Sequence, residues 1–426
     1  MPVVSSLLLA AATLSAGPNC TARLCNPAVL APLSSKLKAT AKRQFRIVQI
    51  GDSLTAGDML SDGWRQQLNS HFGNGGRGAV AGGRPYAGFL TWGVTTHNSP
   101  GWAFNGTFGR LWHDGAPPIG LSSYTKTANS PGEVLSLTAD ATDYAFDSFT
   151  ICGVTGPAEG NVIVSFGGLE KEMSFTSPTP GALCRSFAAP NLALSATVTT
   201  KNIAPVSITS MASFRGRGGV SLSNLGVPGS LLRNFQRTDD KVVAAELAAY
   251  RPDLIGIAFG TNEGFDTDLN VADYDRLLRA QVLRIRRLAG IGIPIMLLGP
   301  PNAMTRSSEI ANAGDTPATV CETGLMVPGH IAAVRSVQRR VAAEMGLAFW
   351  DWGAAMDTPC AMFNWRTAKL ATRDAVHLTR PGGQRLGAIL AADFEAALGL
   401  DSWVAPLTVP VKPTTASATN LPLPQD

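Results

Sequence analysis

The chain has 426 residues, enough for two domains and a substantial core. Only 15% of the residues are charged, and the formal net charge is +4. That mild balance, with no basic block or stripe, argues against a nucleic-acid partner, which would need a row of phosphates neutralised. The densest basic spot, Arg284-Ile285-Arg286-Arg287, sits inside a helical apolar pattern and reads as a solvated face.

In chain order, residues 3–14 form a short apolar stretch, followed by the small residues Ser15, Ala16 and Gly17. Residues 1–17 therefore read as a secretory signal peptide, too short to span a bilayer, although no basic residue precedes the apolar stretch. This predicts a periplasmic or secreted protein with no transmembrane segment. Cys20 is not directly preceded by small residues in the lipoprotein manner, so no lipid anchor is expected. Residues 18–44 read as a linker. Residues 46–50 form a short strand ending at Gly51, and Trp64, Leu68 and Phe72 mark one helix face at i, i+4, i+8.

The stretch 102–217 has no helical period. Residues 134–137, 144–151, 162–164 and 206–208 read as strands broken by Gly, Pro and Asn, as in a small inserted β-sandwich. It would interrupt an α/β domain made of 45–101 and 218–402. In the second part, Val243, Leu247 and Tyr250 mark a helix that Pro252 ends. Residues 254–259 are an apolar run of strand length. Tyr274, Leu278, Val282, Ile285 and Leu288 line the buried side of a long helix. Residues 295–298 and 347–350 are further strands, and Leu386, Ile389, Leu390 and Phe394 lie on a last helix with Pro381 in its first turn. Apolar strands alternating with helices imply a parallel sheet covered on both faces, with the active site beyond the carboxyl ends of its strands. Residues 403–426 are Pro/Thr-rich and read as a disordered tail.

Six cysteines fit an exported protein. Their positions suggest three local disulfides: Cys20–Cys25, Cys152–Cys184 and Cys321–Cys360. No C-x-x-C pair is present, which argues against a zinc ribbon, and no metal site is expected.

Gly51-Asp52-Ser53-Leu54 follows the first strand directly, which would expose a serine at the catalytic edge of the sheet. Alone, such a tetrapeptide is most often a turn. Three further segments change its weight. Asn224-Leu225-Gly226 lies in a Gly/Pro-rich loop, Gly260-Thr261-Asn262-Glu263 follows the 254–259 strand, and Asp374-Ala375-Val376-His377 precedes the last helix. Rival motifs are missing. Thr55 stands where a G-x-S-x-G elbow needs glycine, and no H-E-x-x-H or Walker A pattern occurs. His71, His97, His113 and His330 read as packing or surface residues. Asp52 reads as a loop organiser, and 73–78 as a flexible loop because it follows a helix.

Together the four blocks resemble the SGNH/GDSL hydrolase superfamily. The resemblance covers the two α/β zones and implies a flavodoxin-like three-layer α/β/α domain with a parallel sheet, here carrying an inserted all-β sandwich. It implies Ser53 as nucleophile, Asp374 and His377 as the rest of the triad, and Ser53, Gly226 and Asn262 as oxyanion donors. Glu263 departs from the pattern, since many members have Asp after the Asn. The chemistry agrees with this assignment. A serine hydroxyl needs a base to take its proton, and a histidine oriented by a carboxylate is such a base. No cofactor is needed.

The insert also resembles that of bacterial periplasmic peptidoglycan O-acetylesterases, in which a carbohydrate-binding-module-like sandwich interrupts the SGNH domain. This implies an O-acetylated glycan as partner, with peptidoglycan favoured and acetyl removed from the C6 hydroxyl of N-acetylmuramic acid. Trp92, Trp102 and Trp112, near the junction, could stack on sugar faces. An esterase acting on xylan or an exopolysaccharide, an O-acetyltransferase, or a non-catalytic glycan-binding protein would share these features. The sequence carries no signal of oligomeric state.

Overall fold

The computed structural model describes residues 19–400 except 22, 322 and 323; the expected signal peptide and the 403–426 tail lie outside the described residues. Five parallel strands form the central sheet: Gln44–Gly51, Gly219–Gly226, Leu254–Ala258, Ile295–Leu298 and Ala348–Trp350. Numbered along the chain, they lie in the spatial order 2-1-3-4-5, the flavodoxin-like doubly wound order. The strand order reverses between the first and third strands, so the crevice at their carboxyl ends is where such a fold places a ligand.

Helices cover both faces. On one, Met59–Phe72 packs on Arg380–Ala397, with Trp64 and Phe394 edge to face at 5.5 Å. Glycine permits this close approach, since a Cβ on Gly387 would fall 2.3 Å from the backbone of Gly63. On the other face, Asp240–Tyr250, Val271–Ala289 and Gly329–Met345 bury Val243, Leu247, Leu278, Val282, Val334, Val337 and Val341. The Gly329–Met345 helix was not among the elements expected from the sequence. Its core face is built of valines, whose branched side chains weaken the local helix signal, and burial against the sheet overrides that preference.

Two further expectations need correction. Asn224-Leu225-Gly226 lies at the end of the Gly219–Gly226 strand and not in a loop. This strand is the sheet edge, and the inserted segment covers it: Ser223 Oγ accepts from the N–H of Ala79 at 2.8 Å. Ser223 is therefore satisfied although buried, and the strand's polar residues break the apolar run that marks the other strands. The stretch expected as a linker is folded over 24–38, too. Leu24–Cys25 pairs antiparallel with Ala348–Trp350, and Leu30, Leu33 and Leu37 are fully buried under the far end of the sheet. This segment closes an edge that would otherwise be open to pairing with another chain.

The intervening residues form two antiparallel sheets around their own core, which includes Leu135, Leu137, Phe149, Ile151, Val162 and Val198. Two strands ahead of residue 102 belong to these sheets: Gly78–Ala81 pairs with Val206–Phe214, and Val94–Asn98 with Val134–Ala139. The 73–78 segment, expected as a flexible loop, is pinned by Gly75 N–H donating to Val220 O and Val220 N–H to Gly73 O, both at 2.8 Å. The β-module is bolted to the Asp240–Tyr250 helix through Glu246. The buried Glu246 carboxylate accepts from Thr209 Oγ1 at 2.7 Å, from the Leu121 N–H at 2.6 Å and from Ser210 Oγ. Three disulfides are present: Cys20–Cys25, Cys152–Cys184 and Cys321–Cys360.

Candidate active site

Ser53 opens the short helix Ser53–Ala56, immediately past the first parallel strand. Asp52 caps that helix, its Oδ1 accepting from the Leu54 N–H at 2.9 Å. The turn is held from beneath. Gln49 Nε2 donates to Thr55 Oγ1 and Asn224 Nδ2 to Thr55 O, each at 2.9 Å. Gly226, at the end of the neighbouring strand, lies against the same turn. A Cβ there would sit 2.3 Å from Ala56 N and 2.6 Å from Asp52 O, so glycine is required by space.

Asp374 and His377 approach from the other side. Ala375 takes a left-handed conformation (φ 61°), which folds the loop so that side chains three residues apart face each other. His377 Nδ1 is 2.7 Å from Asp374 Oδ2, and its Nε2 is 2.8 Å from Ser53 Oγ. Asp374 Oδ1 also accepts from Thr372 Oγ1 at 2.5 Å and from the N–H groups of Val376 and His377 at 2.9 and 3.0 Å. Partial burial opposes its ionisation, but these donors, led by His377, hold the carboxyl well below the usual carboxylate range. The hydrogen bond to Asp374 raises the His377 pKa above the ordinary 6.5, against desolvation, and the charge of Asp52 adds to the rise. With Nδ1–H donated to Asp374, Nε2 carries the lone pair facing the serine hydroxyl.

Asn262 lies on the short helix Thr261–Gly264, just past the third parallel strand. Its Nδ2 donates to Ser230 O at 2.8 Å, which orients the amide toward the loop that follows Gly226 and leaves a second N–H on the same nitrogen. Ser53, Gly226 and Asn262 thus stand at the carboxyl ends of three adjacent strands. Ser53, Asp374 and His377 are in direct hydrogen-bond contact.

Two carboxyls close to the site are buried. Burial pushes Asp52 up to about 6 and Glu263 up to about 7. Glu263 Oε1 accepts from the Leu232 N–H at 2.6 Å, so the residue that departs from the family pattern is tied to the start of a neighbouring helix. Sequence reasoning missed a deeper network. Asp58 is completely buried and accepts from Arg65 Nη2 at 2.6 Å, Arg77 Nη2 at 3.0 Å and the Trp92 N–H at 2.9 Å. Arg77 also binds Asn224 Oδ1, linking this cluster to the turn that carries Ser53.

Of the three tryptophans near the junction, Trp102 is 3% exposed and packed in the β-module core, so it is not a sugar platform. Trp92 carries the Arg380 guanidinium on its ring at 3.8 Å, and Trp112 that of Arg237 at 4.8 Å. The other histidines are apart from the site: His71 meets Glu395 at 2.8 Å, His113 meets Asn105, His330 meets the Asp266 carbonyl, and His97 is exposed on a strand.

No protein-family profile matches the chain, and neither does any curated protein sequence. Its likeness to a solved esterase and its doubly wound sheet give the class: it is a carboxylic-ester hydrolase, with an SGNH-like α/β domain and an additional β-module. More particularly, it is similar to a solved structure described as a peptidoglycan O-acetylesterase, at 25% identity and TM-score 0.70, over 87% of this chain and 96% of that one. A lipase/acylhydrolase from Enterococcus faecalis aligns at 21% identity over 42% of this chain and 77% of that one, with TM-score 0.30. A family two carbohydrate esterase from Clostridium thermocellum aligns at 12% identity over 71% of this chain and 100% of that one, with TM-score 0.28.

Proposed function

We propose that the protein is a serine esterase that removes O-acetyl groups from a cell-envelope glycan, with peptidoglycan as the favoured polymer. The observation that carries this reading is the unbroken relay from Asp374 Oδ2 through His377 to Ser53 Oγ, with steps of 2.7 and 2.8 Å. The choice of polymer draws on the 87% of the chain that aligns with the peptidoglycan O-acetylesterase structure.

The chemistry runs in two halves. Ser53 Oγ attacks the acetyl carbonyl carbon as its proton passes to His377 Nε2. Negative charge grows on the former carbonyl oxygen and is received by the N–H groups of Ser53 and Gly226 and by the Asn262 amide. One such donor typically lowers the barrier by about 3–4 kcal/mol. The imidazolium, stabilised by Asp374, then returns the proton to the departing sugar oxygen, leaving acetyl on Ser53. Water, deprotonated by His377, attacks the acetyl-enzyme and releases acetate. The protein acts outside the cytoplasm, in the periplasm or after secretion; its three disulfides suit an oxidising compartment, and residues 1–17 serve as the export signal.

The test is acetate release from O-acetylated peptidoglycan, the same material after chemical de-O-acetylation, and acetylated xylan. Release from the first and none from the second, lost in Ser53→Ala, is the expected pattern. Preference for xylan would replace the polymer but keep the triad. Full activity in Ser53→Ala would remove the mechanism.

A further inference from the structure

An open cavity of about 190 Å³ lies beside the loop that carries Asp374, lined by Phe363, Arg366, Thr367, Ala371, Thr372 and Arg373. Two elements build it. The helix Ala361–Thr367 brings Phe363, Arg366 and Thr367, and the segment immediately before Asp374 brings the rest. Thr372 joins the cavity to Asp374, since it lines the one and its hydroxyl donates to the other. A group held in the cavity is therefore held next to the catalytic loop.

Two arginines line the cavity, and the nearest carboxylate, Asp374 behind Thr372, is taken up by His377 and Thr372. Among the described residues no carboxylate pairs with Arg366 or Arg373, whereas Arg279 meets two and Arg284 and Arg339 one each. The walls are also held in place. The helix is anchored at its start by the Cys321–Cys360 disulfide, and Met362 and Trp365 are buried beneath it. Two guanidiniums lining one cavity match a planar carboxylate, which accepts paired N–H donors, and the Phe363 ring offers an apolar face to carbon atoms beside it. Size sets the scale: the cavity is smaller than the several hundred cubic ångströms of a typical whole-ligand pocket, so it suits a side group and not a sugar chain.

We propose that this cavity is a carboxylate subsite, in which Arg366 and Arg373 hold a carboxylate carried by the acetylated glycan while its ester lies at Ser53. The proposal rests on the reading of the protein as a glycan deacetylase and narrows its substrates to acidic polymers. Two sources carry the group: muramoyl sugars with their lactyl or stem-peptide carboxylates, and uronic acids.

The test compares kcat/KM on carboxylate-bearing acetylated glycans with the same glycans after their carboxyls are amidated. The substrates are O-acetylated peptidoglycan fragments with stem peptides, the same fragments stripped by an amidase to the free lactyl carboxylate, and an acetylated polyuronate. The wild-type protein should prefer the carboxylate form of at least one. The double variant Arg366→Gln/Arg373→Gln should lower that preference roughly tenfold or more, as expected for losing charge-assisted hydrogen bonds. Arg366→Lys/Arg373→Lys, which keeps the charge, should restore part of it. A preference ratio that is the same in wild type and double variant overturns the subsite. If peptidoglycan is deacetylated but the ratio ignores the arginines, the subsite falls and the peptidoglycan reading stands. If only the polyuronate shows an arginine-dependent preference and peptidoglycan is untouched, the subsite stands and the peptidoglycan reading falls.

Discussion

Ser53 and His377 are 324 positions apart in the chain, yet Ser53 Oγ and His377 Nε2 lie 2.8 Å apart. The doubly wound sheet brings them together, because the first strand ends at the Ser53 turn and the last helix begins just after the His377 loop. The contact is useful only while the imidazole is neutral. Asp374 raises the His377 pKa above the ordinary 6.5. Activity should therefore climb with rising pH through a midpoint above that value, as the fraction of neutral imidazole increases. In Asp374→Asn the midpoint should move down toward the ordinary value, and kcat should fall by about 10⁴-fold because the tautomer is no longer fixed. A pH–rate profile of aryl acetate hydrolysis for both proteins measures this; an unshifted midpoint would detach Asp374 from the titrating histidine.

Gly226→Ala tests how tightly the second strand is fitted to the nucleophile turn. The added methyl would lie 2.3 Å from Ala56 N, and neither partner is a flexible side-chain end. The turn must shift, and a displacement of this size at a reacting atom is expected to cost about 10²-fold in kcat/KM. Far-ultraviolet circular dichroism and a denaturation midpoint would separate this from loss of the fold. A variant with wild-type kcat/KM would show that Ser53 does not depend on this contact.

Asp52 gives a prediction about stability. Its pKa rises from 3.8 in the unfolded chain to about 6 in the folded protein because the carboxyl is buried. The folded state binds the proton more tightly, so Asp52 favours folding fully below pH 3.8, and that contribution is lost as pH rises through about 6. At pH 8 the folded protein must carry the buried charge. Asp52→Asn keeps an oxygen to accept from Leu54 N–H but removes the charge. It should therefore be more stable than wild type at pH 8 by about 3 kcal/mol, with the difference shrinking toward pH 4. Urea unfolding at the two pH values decides it; a stability loss that is equal at both would mean the carboxylate charge is not the cost.

Much of this arrangement is legible in the sequence, and its gaps have physical causes. The strands at 254–259 and 295–298 announce themselves because both faces are buried and every residue is apolar or glycine, and 46–50 because its three aliphatic residues lead straight into Gly51. The Gly219–Gly226 strand hides because Ser221, Ser223 and Asn224 interrupt its apolar run, and the partner that satisfies Ser223 lies more than a hundred residues upstream. The 18–44 segment is made of elements too short for any period to show. At the site, the Asp-x-x-His spacing is visible, whereas the left-handed turn at Ala375 that makes it work is not. The Asp58 cluster and the arginine-lined cavity could not be read at all, since each joins charged residues that look like ordinary surface positions until the fold brings them together.

The Cys321–Cys360 disulfide should matter to more than the loop it closes. In the chain-entropy estimate, cross-linking residues 39 apart stabilises the fold by about 4 kcal/mol. Cys360 also stands at the start of the Ala361–Thr367 helix. Replacing both cysteines by serine should lower the thermal midpoint and loosen that helix while leaving the Ser53–His377 contact in place. Amide exchange across 361–367 that is no faster than in wild type would show that packing of Met362 and Trp365 suffices to hold the helix.

The Asp58 cluster offers the sharpest contrast between charge and shape. Asp58 and Arg77 are both completely buried, Arg65 nearly so, and the one carboxylate faces two guanidiniums. Asp58 is fully desolvated, yet the arginines hold its pKa below the usual value, so it stays ionised. Asp58→Asn is nearly isosteric but leaves two buried cations with only Asp62 as a nearby anion. Removing one partner from a buried ion cluster typically costs about 3–5 kcal/mol, more than most single substitutions. The loss should reach the site, because Arg77 holds Asn224, and Asn224 holds the Thr55 carbonyl in the nucleophile turn. Asp58→Asn is therefore expected to lower both the unfolding free energy and kcat, whereas Asn224→Ala should lower kcat with a smaller stability cost. Chemical denaturation paired with aryl acetate kinetics on the two variants tests this order; a stable Asp58→Asn protein with full activity would mean that the two arginines find other partners.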